Sequence, residues 1–498
     1  MNTIYIGKGE QDVFLRNEKL NRHGLIAGAT GTGKSTTLKV IAEQASEQGI
    51  PVFLPDVKGD MYTFLEAGSM NEKLEERLQR LGLEEFSFRD YPVECWDVFG
   101  TEGNPVRTTI SDMGPILLSN LLELNEVQSG ILNIAFSVAD EKGYLLLDLK
   151  DLKAMLHYIG ENAKELKFRY GNISPASVGA IQRALLVLEN QGAGEFFGEP
   201  AVNMEDFFRV DGNGRGYINI LDARVLYQKP KLYATFMLWL LSELYERLPE
   251  VGDVKKPKFM FFFDEAHLLF STGSKPLTEK LEQVLRLIRS KGVSIFFVTQ
   301  SPADIPDTIL GQLGNKIQHS LRAFTPKDRK IIKETASNFR ENPRFDTAEM
   351  LTNMGSGEAL VSVLDEEGKP TITEHTLIAP PHSKFGTVER ERILATVQSS
   401  PLYGKYKDPV DRESAYEVLM EKLIANKYLE QLEEERKREV KEKREAEREA
   451  ARIEREKRRN RSFVEKELER MKNSAVGTVG RGVGRQILRG ILGSILGK

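Results

Sequence analysis

Short, unbroken apolar runs recur along this chain, and between them the apolar positions take a helical spacing. His23-Gly24-Leu25-Ile26-Ala27 is one such run. Others are Pro51-Val52-Phe53-Leu54-Pro55, Lys258 to Phe263 and Gly292 to Gln300, while Tyr91 to Phe99, with Val93, Cys95 and Trp96, and Gly216 to Leu221 also read as strands. Runs of this length without alternation read as strands covered on both faces, as in a parallel sheet. Between them, Thr36 to Gln48 places Leu38, Ile41, Ala42 and Ala45 on one side of a helix. Glu66 to Leu83, Leu232 to Leu248 and Leu277 to Ser290 also read as helical. Strands alternating with helices predict an α/β fold on a mostly parallel sheet.

From Ser111 to about Asn190 the helical rhythm continues without a strand. Ile116, Leu117, Leu121 and Leu122 keep it, as do Ile131, Ile134 and Ala135, and then Ala180, Ile181, Ala184, Leu185 and Leu188. The pattern predicts a small β cap at 1–22, sheet-bearing segments at 23–110 and 201–410, and an all-helical insertion between them at 111–200. After Asp411 charge replaces hydrophobicity. Glu433–Lys437, Glu434–Arg438, Glu439–Lys443 and Glu454–Arg458 place an acid four residues before a cation. Each pair adds about 0.2–0.5 kcal/mol to a helix. Apolar residues are too sparse after Leu432 for a sustained heptad seam, so 411–474 reads as a long solvated helix in preference to a coiled coil. The last segment, 475–498, changes again. Val483, Ile487, Ile491 and Ile495 form one row, Leu488, Leu492 and Leu496 another, and Arg481, Arg485 and Arg489 a third. This is the pattern of a basic, glycine-rich amphipathic helix, suited to an anionic membrane surface or a protein partner, or to packing on its own domain.

The chain has 498 residues, 40% of them hydrophobic, which is ample for a large core. Its formal net charge is -4, so any surface for nucleic acid must be local rather than global. Cys95 stands alone, which excludes a disulfide framework and suits a reducing compartment. The segment from Met1 to Lys8 lacks the pattern of a secretory leader, and no stretch approaches the roughly 18 apolar residues of a membrane span. These features place the chain in the cytoplasm, with peripheral contact at the inner membrane surface open to the tail.

Candidate chemistry begins at Gly28-Ala29-Thr30-Gly31-Thr32-Gly33-Lys34-Ser35, a complete G-x-x-x-x-G-K-S phosphate-binding loop. It follows a predicted strand and opens a predicted helix, the context this motif requires. Backbone N–H groups from Gly28 to Thr36 would surround the phosphates of ATP, helped by the helix N-terminus. Lys34 would reach the β- and γ-phosphates and the Ser35 hydroxyl would ligate Mg²⁺. The plain alternative, a glycine-rich turn with a chance lysine, explains neither the spacing nor the context. A second site lies where the apolar run Phe259 to Phe263 ends in Asp264 and Glu265. Carboxylates at the C-terminal end of a parallel strand sit where such sheets bind ligands. Asp264 would serve the metal, and Glu265 would orient and deprotonate the attacking water. The nearby His267 reads as structural.

With these residues in place, the chain resembles the HerA/FtsK superfamily of ring-forming P-loop ATPases, close to the bacterial YjgR-like (HerA-like) family. Asn21 to Ile26, Asp56-Val57-Lys58-Gly59-Asp60, Phe262 to Phe270 and Leu321 to Asp328 carry the likeness. The resemblance implies a RecA/FtsK-like P-loop NTPase fold, a homo-hexamer and action on DNA. It implies a γ-phosphate sensor at Gln300, at the end of the strand after Asp264-Glu265. It also implies the pattern Gln312, Asn315 and Arg322, with Arg322 as the charge-stabilising arginine and Arg286 and Arg289 as competitors for a finger reaching a neighbouring subunit. Family members that pump DNA carry a sizeable N-terminal β-barrel, and FtsK-type motors carry membrane spans and a winged domain. Only about 22 residues precede the first motif strand here, so a full barrel is not expected. Two functions remain open at this point. One is an Mg²⁺-dependent ATPase moving DNA through a ring. The other is a regulatory or scaffold ATPase whose nucleotide state switches contacts made by the charged helix and tail.

Overall fold

The computed structural model describes residues 2–252, 254–271 and 275–475. Met1–Leu419 forms one compact unit and Met420–Lys498 a second. The first is an α/β unit built on a single sheet. Its strands are β1 (Thr3–Lys8), β2 (Asp12–Arg16), β3 (Gly24–Ala27), β4 (Val52–Asp56), β5 (Val93–Asp97), β6 (Asn104–Pro105), β7 (Ile218–Asp222), β8 (Phe259–Phe263), β9 (Val293–Thr299), β10 (Asn315–His319), β11 (Glu358–Ser362) and β12 (Glu374–Ile378). The order across the 12-stranded sheet is β2-β1-β12-β11-β10-β3-β9-β8-β4-β7-β5-β6. From β10 to β6 every neighbouring pair is parallel. From β10 through β11, β12 and β1 to β2 every pair is antiparallel.

The central strands are apolar throughout because both faces are covered. Along β8, Phe259, Phe261 and Phe263 enter one core and Met260 and Phe262 the other. The rings repeat this division against β9. Phe263 stacks on Phe297 at 5.0 Å, and Phe262 on Phe296 at 5.5 Å. Helix α1 (Lys34–Glu47) fills one face with Leu38, Ile41, Ala42 and Ala45. The other face receives the insertion helices α3 (Ile110–Leu121), α4 (Glu126–Lys142), α5 (Leu149–Glu161), α6 (Ala163–Tyr170) and α7 (Pro175–Asn190) together with α8 (Pro230–Arg247). Helix α2 (Glu72–Leu81) is shorter than the helix expected over Glu66 to Leu83. The Asn71 side chain accepts from the Leu74 N–H and starts it there, while Gly82, at φ 71°, ends it. The residues before it form a 3₁₀ turn, Met61–Leu65.

The N-terminal hairpin is not a separate cap. Strand β1 pairs with β12, so the hairpin forms one edge of the main sheet. Strands β10, β11 and β12 had no sequence expectation. The charged segment is helical over Ala415–Ala475, and in its exposed second-unit portion Lys437 pairs with Glu433 at 3.7 Å and Arg458 with Glu454 at 3.2 Å. The amphipathic tail expected at 475–498 lies, but for Ala475, outside the described residues. Among the described residues no helix is long and apolar enough to cross a membrane.

Candidate active site

The C-terminal edge of the parallel strands gathers the candidate residues. The phosphate loop leaves β3, and three of its glycines take backbone angles that a side chain resists: Gly28 at φ 153°, Gly31 at φ 78° and Gly33 at φ 120°. At Gly28 space also forbids a side chain, because a Cβ there would lie 2.5 Å from the Cβ of His319. The loop is tied from three sides. The Ala29 N–H donates to the Ser320 carbonyl at 2.9 Å, the Gly357 N–H donates to the Thr32 carbonyl at 2.8 Å, and the Ser356 hydroxyl donates to the Gly31 carbonyl at 3.1 Å. Inside the loop, Lys34 Nζ donates to the carbonyls of Gly28 at 2.6 Å and Ala29 at 3.1 Å. Burial lowers the Lys34 pKa, the charge of Lys58 lowers it further, and Glu265 and Asp264 oppose both. Ser35 and Thr36 open α1 at the same place.

Asp264 and Glu265 follow β8 directly. The Asp264 carboxylate accepts the Glu265 N–H at 2.9 Å, and its backbone carbonyl accepts the Tyr233 hydroxyl at 2.7 Å. Burial, reinforced by the Glu265 charge, raises the Asp264 pKa to about 7. Glu265 takes φ 48°, a left-handed conformation rare for a residue with a side chain. Such a conformation persists where surrounding structure enforces it, and functional sites are where it concentrates. The turn aims the carboxylate at three neighbours. Gln300 Nε2 donates to Glu265 Oε2 at 3.4 Å, His267 Nδ1 lies 3.3 Å from the same oxygen, and Lys58 Nζ lies 3.7 Å from Oε1.

Gln300, one residue past β9, is therefore in contact with Glu265. It also lines a cavity of about 340 Å³ with Ala29, Thr30, Ser301, Arg322 and Phe324. Arg322 is exposed on the wall of this cavity, beside the loop. The other residues of its pattern are elsewhere. Asn315 begins β10 and donates to the carbonyls of His23 at 3.0 Å and Lys19 at 3.3 Å, at the opposite edge of the sheet. Gln312 donates to the Thr308 carbonyl at 3.1 Å. Arg286 and Arg289 precede β9 and so also belong to that far edge, where Arg286 pairs with Glu282 at 3.0 Å.

The donors fit a magnesium nucleotide. The Ser35 hydroxyl and the Asp264 carboxylate are hard oxygen donors, the kind magnesium prefers when it keeps its other positions for water and phosphate. A carboxyl whose charge is opposed by burial and by Glu265 gains a compensating partner from a divalent cation.

Two buried histidines brace the sheet at its two ends, His319 packed against the phosphate loop and His23 at the far edge. His319 Nδ1 donates to the Glu358 carbonyl at 2.9 Å, so its Nε2 accepts from the Thr37 hydroxyl at 2.9 Å. This joins β10, β11 and the first turn of α1 beneath the loop. His23 Nε2 donates to the Leu285 carbonyl at 2.9 Å, and its Nδ1 accepts the Ile295 N–H at 3.1 Å. Burial is the main cause that lowers each pKa, to about 4. Between about pH 6.5 and 4 the unfolded chain then binds more protons than the folded one, so stability falls as pH falls through that window. Each histidine is expected to remove on the order of 2–3 kcal/mol by the bottom of it. Thermal unfolding midpoints from pH 7 to 4.5 check this, and a flat profile would count against neutral burial of the pair.

Known proteins align with much of this chain. It is 26% identical over 381 residues to the DNA double-strand break repair helicase HerA of Sulfurisphaera tokodaii, covering 72% of this chain and 66% of that protein. It is 25% identical over 372 residues to the protein of the same name from Saccharolobus solfataricus, covering 72% and 64%. The chain thus spans slightly less than two thirds of the curated relatives it matches. Among solved structures, the plasmid coupling protein TrwB in complex with ADP and Mg²⁺ gives a TM-score of 0.49 at 16% identity, covering 76% of this chain and 89% of that one. VirB4 of Thermoanaerobacter pseudethanolicus gives 0.46 at 18% identity, covering 75% and 96%. The family described as helicase HerA-like C-terminal matches residues 2–498, and the chain belongs to that family.

Proposed function

We propose that this protein is an Mg²⁺-dependent ATP hydrolase of the HerA type that assembles as a ring and acts on DNA. The observation that carries the hydrolase reading is the meeting of Lys34, Asp264, Glu265 and Gln300 at one edge of β3, β8 and β9. The loop N–H groups and Lys34 bind the phosphates. Glu265 takes a proton from a water aligned on the γ-phosphorus, and Gln300, in contact with the same carboxylate, orients that water. Arg322 offers charge to the phosphoryl oxygens as they move apart. When bound, magnesium at Ser35 and Asp264 supplies a positive charge that neutralises phosphate oxygens.

Support for DNA comes from the relatives, which are named DNA double-strand break repair helicases. The ring itself rests on the family resemblance. Arg286 and Arg289 lie at the edge remote from their own loop, so in a ring either would serve a neighbour's nucleotide. The test is ATP turnover with and without duplex DNA, on the full chain with Mg²⁺. A several-fold rise with DNA is expected. Turnover indifferent to duplex of any length would overturn the motor and leave a nucleotide-controlled switch, with the separate charged helix as its output.

A further inference from the structure

The loop after β4 is held more firmly than its exposure suggests. The Asp56 carboxylate accepts four successive backbone N–H groups: Lys58 at 3.2 Å, Gly59 at 2.6 Å and Asp60 at 3.2 Å on one oxygen, and Met61 at 2.9 Å on the other. Gly59, at φ 80°, makes the turn. Asp56 itself is buried. The loop backbone is fixed, while the Lys58 side chain remains 46% exposed and mobile along its stem. Strand β4 lies beside β8, and Lys58 stands two residues past the end of its strand, as Glu265 does past its own. In register Lys58 falls one residue beyond Glu265, and the two side chains meet past the strand ends, with Nζ 3.7 Å from Oε1.

An exposed lysine–carboxylate pair is ordinarily a weak surface contact. This pair differs in its surroundings. The Glu265 carboxylate is buried, and the charge of Lys58 is felt at Lys34 inside the phosphate loop, where it is the largest electrostatic influence after burial. It is felt also at Asp264, whose carboxylate it favours. A cation that acts on the loop lysine, the metal carboxylate and the catalytic carboxylate together lies at the reacting end of the site, not at its margin. At rest Glu265 and Asp264 balance the two lysines, and a triphosphate ending there offers Lys58 a second anionic partner.

We infer that Lys58 is a second phosphate-binding cation, paired with Glu265 at rest and donating to the γ-phosphate oxygens when a nucleoside triphosphate is bound. Its transfer frees Glu265 Oε1 to meet the attacking water, so binding of the γ-phosphate uncovers the base. The diphosphate has no group that reaches Lys58, and in its presence the Glu265 pair persists. Lys58 thereby lets the site tell triphosphate from diphosphate. The inference rests on the nucleotide-binding reading above.

The test is equilibrium binding of ADP and of a slowly hydrolysed ATP analogue with a γ-thiophosphate, both with Mg²⁺, to the full chain and to Lys58→Met and Lys58→Arg. A charge-assisted contact to phosphate makes the expected loss about tenfold or more in Kd for the triphosphate in Lys58→Met, with ADP unchanged within about twofold. Lys58→Arg should keep most of the triphosphate affinity. Equal weakening of both nucleotides would make Lys58 structural and overturn the inference. No change in either would reduce the pair to a surface contact and overturn it equally. Wild-type protein that binds neither nucleotide would sink the nucleotide reading itself, a distinct result.

Discussion

Lys34→Ala is expected to bring ATP turnover down to background, a fall of at least about a hundred- to a thousandfold. The side chain has two tasks in this structure. Its ammonium bonds to the carbonyls of Gly28 and Ala29 and so holds the loop curled. It is also the buried cation inside the loop, placed where the transferring phosphate must carry charge. Alanine removes both. The loop would still be tied from outside by Ser320, Ser356 and Gly357, so the fold should survive. Phosphate release measured beside circular dichroism separates the effects. Turnover within about tenfold of wild type, with the fold intact, would remove Lys34 from the mechanism.

How much of this was legible in the sequence follows from how local each signal is. The phosphate loop is a short-range pattern: glycine spacing, a strand before and a helix after. It could be read residue by residue. Strands β8 and β9 announced themselves through consecutive phenylalanines, because a strand covered on both faces has no polar alternation to hide it. Strands β11 and β12 gave no comparable signal. Glu358, Ser362, Glu374 and His375 stand at their ends, and although the two pair with each other, their outer partners β10 and β1 lie far off in sequence. The N-terminal hairpin looked independent for the same reason, since its bond to β12 spans nearly the whole first unit.

The site shows the same division. Gln300 was expected from the family resemblance, and its contact with Glu265 follows from β8 and β9 being adjacent. Arg322 was expected from the same source and does line the cavity over the loop. Gln312 and Asn315 were grouped with it by the same resemblance, yet β10 separates them, with Asn315 at its start and Arg322 past its end. Strand direction, invisible in a motif, decided which members of the pattern could meet a nucleotide. His319 and Lys58 were missed as functional positions. Asp56 to Asp60 had been singled out as a stretch, but no sequence signal says that a lysine there faces Glu265, because that depends on β4 lying beside β8.

Glu265→Gln is expected to leave nucleotide binding nearly intact while lowering turnover by about a hundred- to ten-thousandfold, the usual contribution of a general base. The amide has the shape of the carboxylate, so its oxygen can still accept from Gln300, and the strained turn at φ 48° is unaffected. What it loses is the lone pair able to take a proton and the ion pair to Lys58. A protein that fills with ATP and stalls is the signature of that change. Single-turnover measurements with ATP, beside equilibrium binding of a triphosphate analogue, give both quantities. Near-normal hydrolysis would move the base elsewhere, and Asp60, on the loop that carries Lys58, is the next carboxylate to test. Collapse of triphosphate affinity together with turnover would instead make Glu265 a binding group, since a residue that acts only as a base in the transition state has no reason to weaken the ground-state complex.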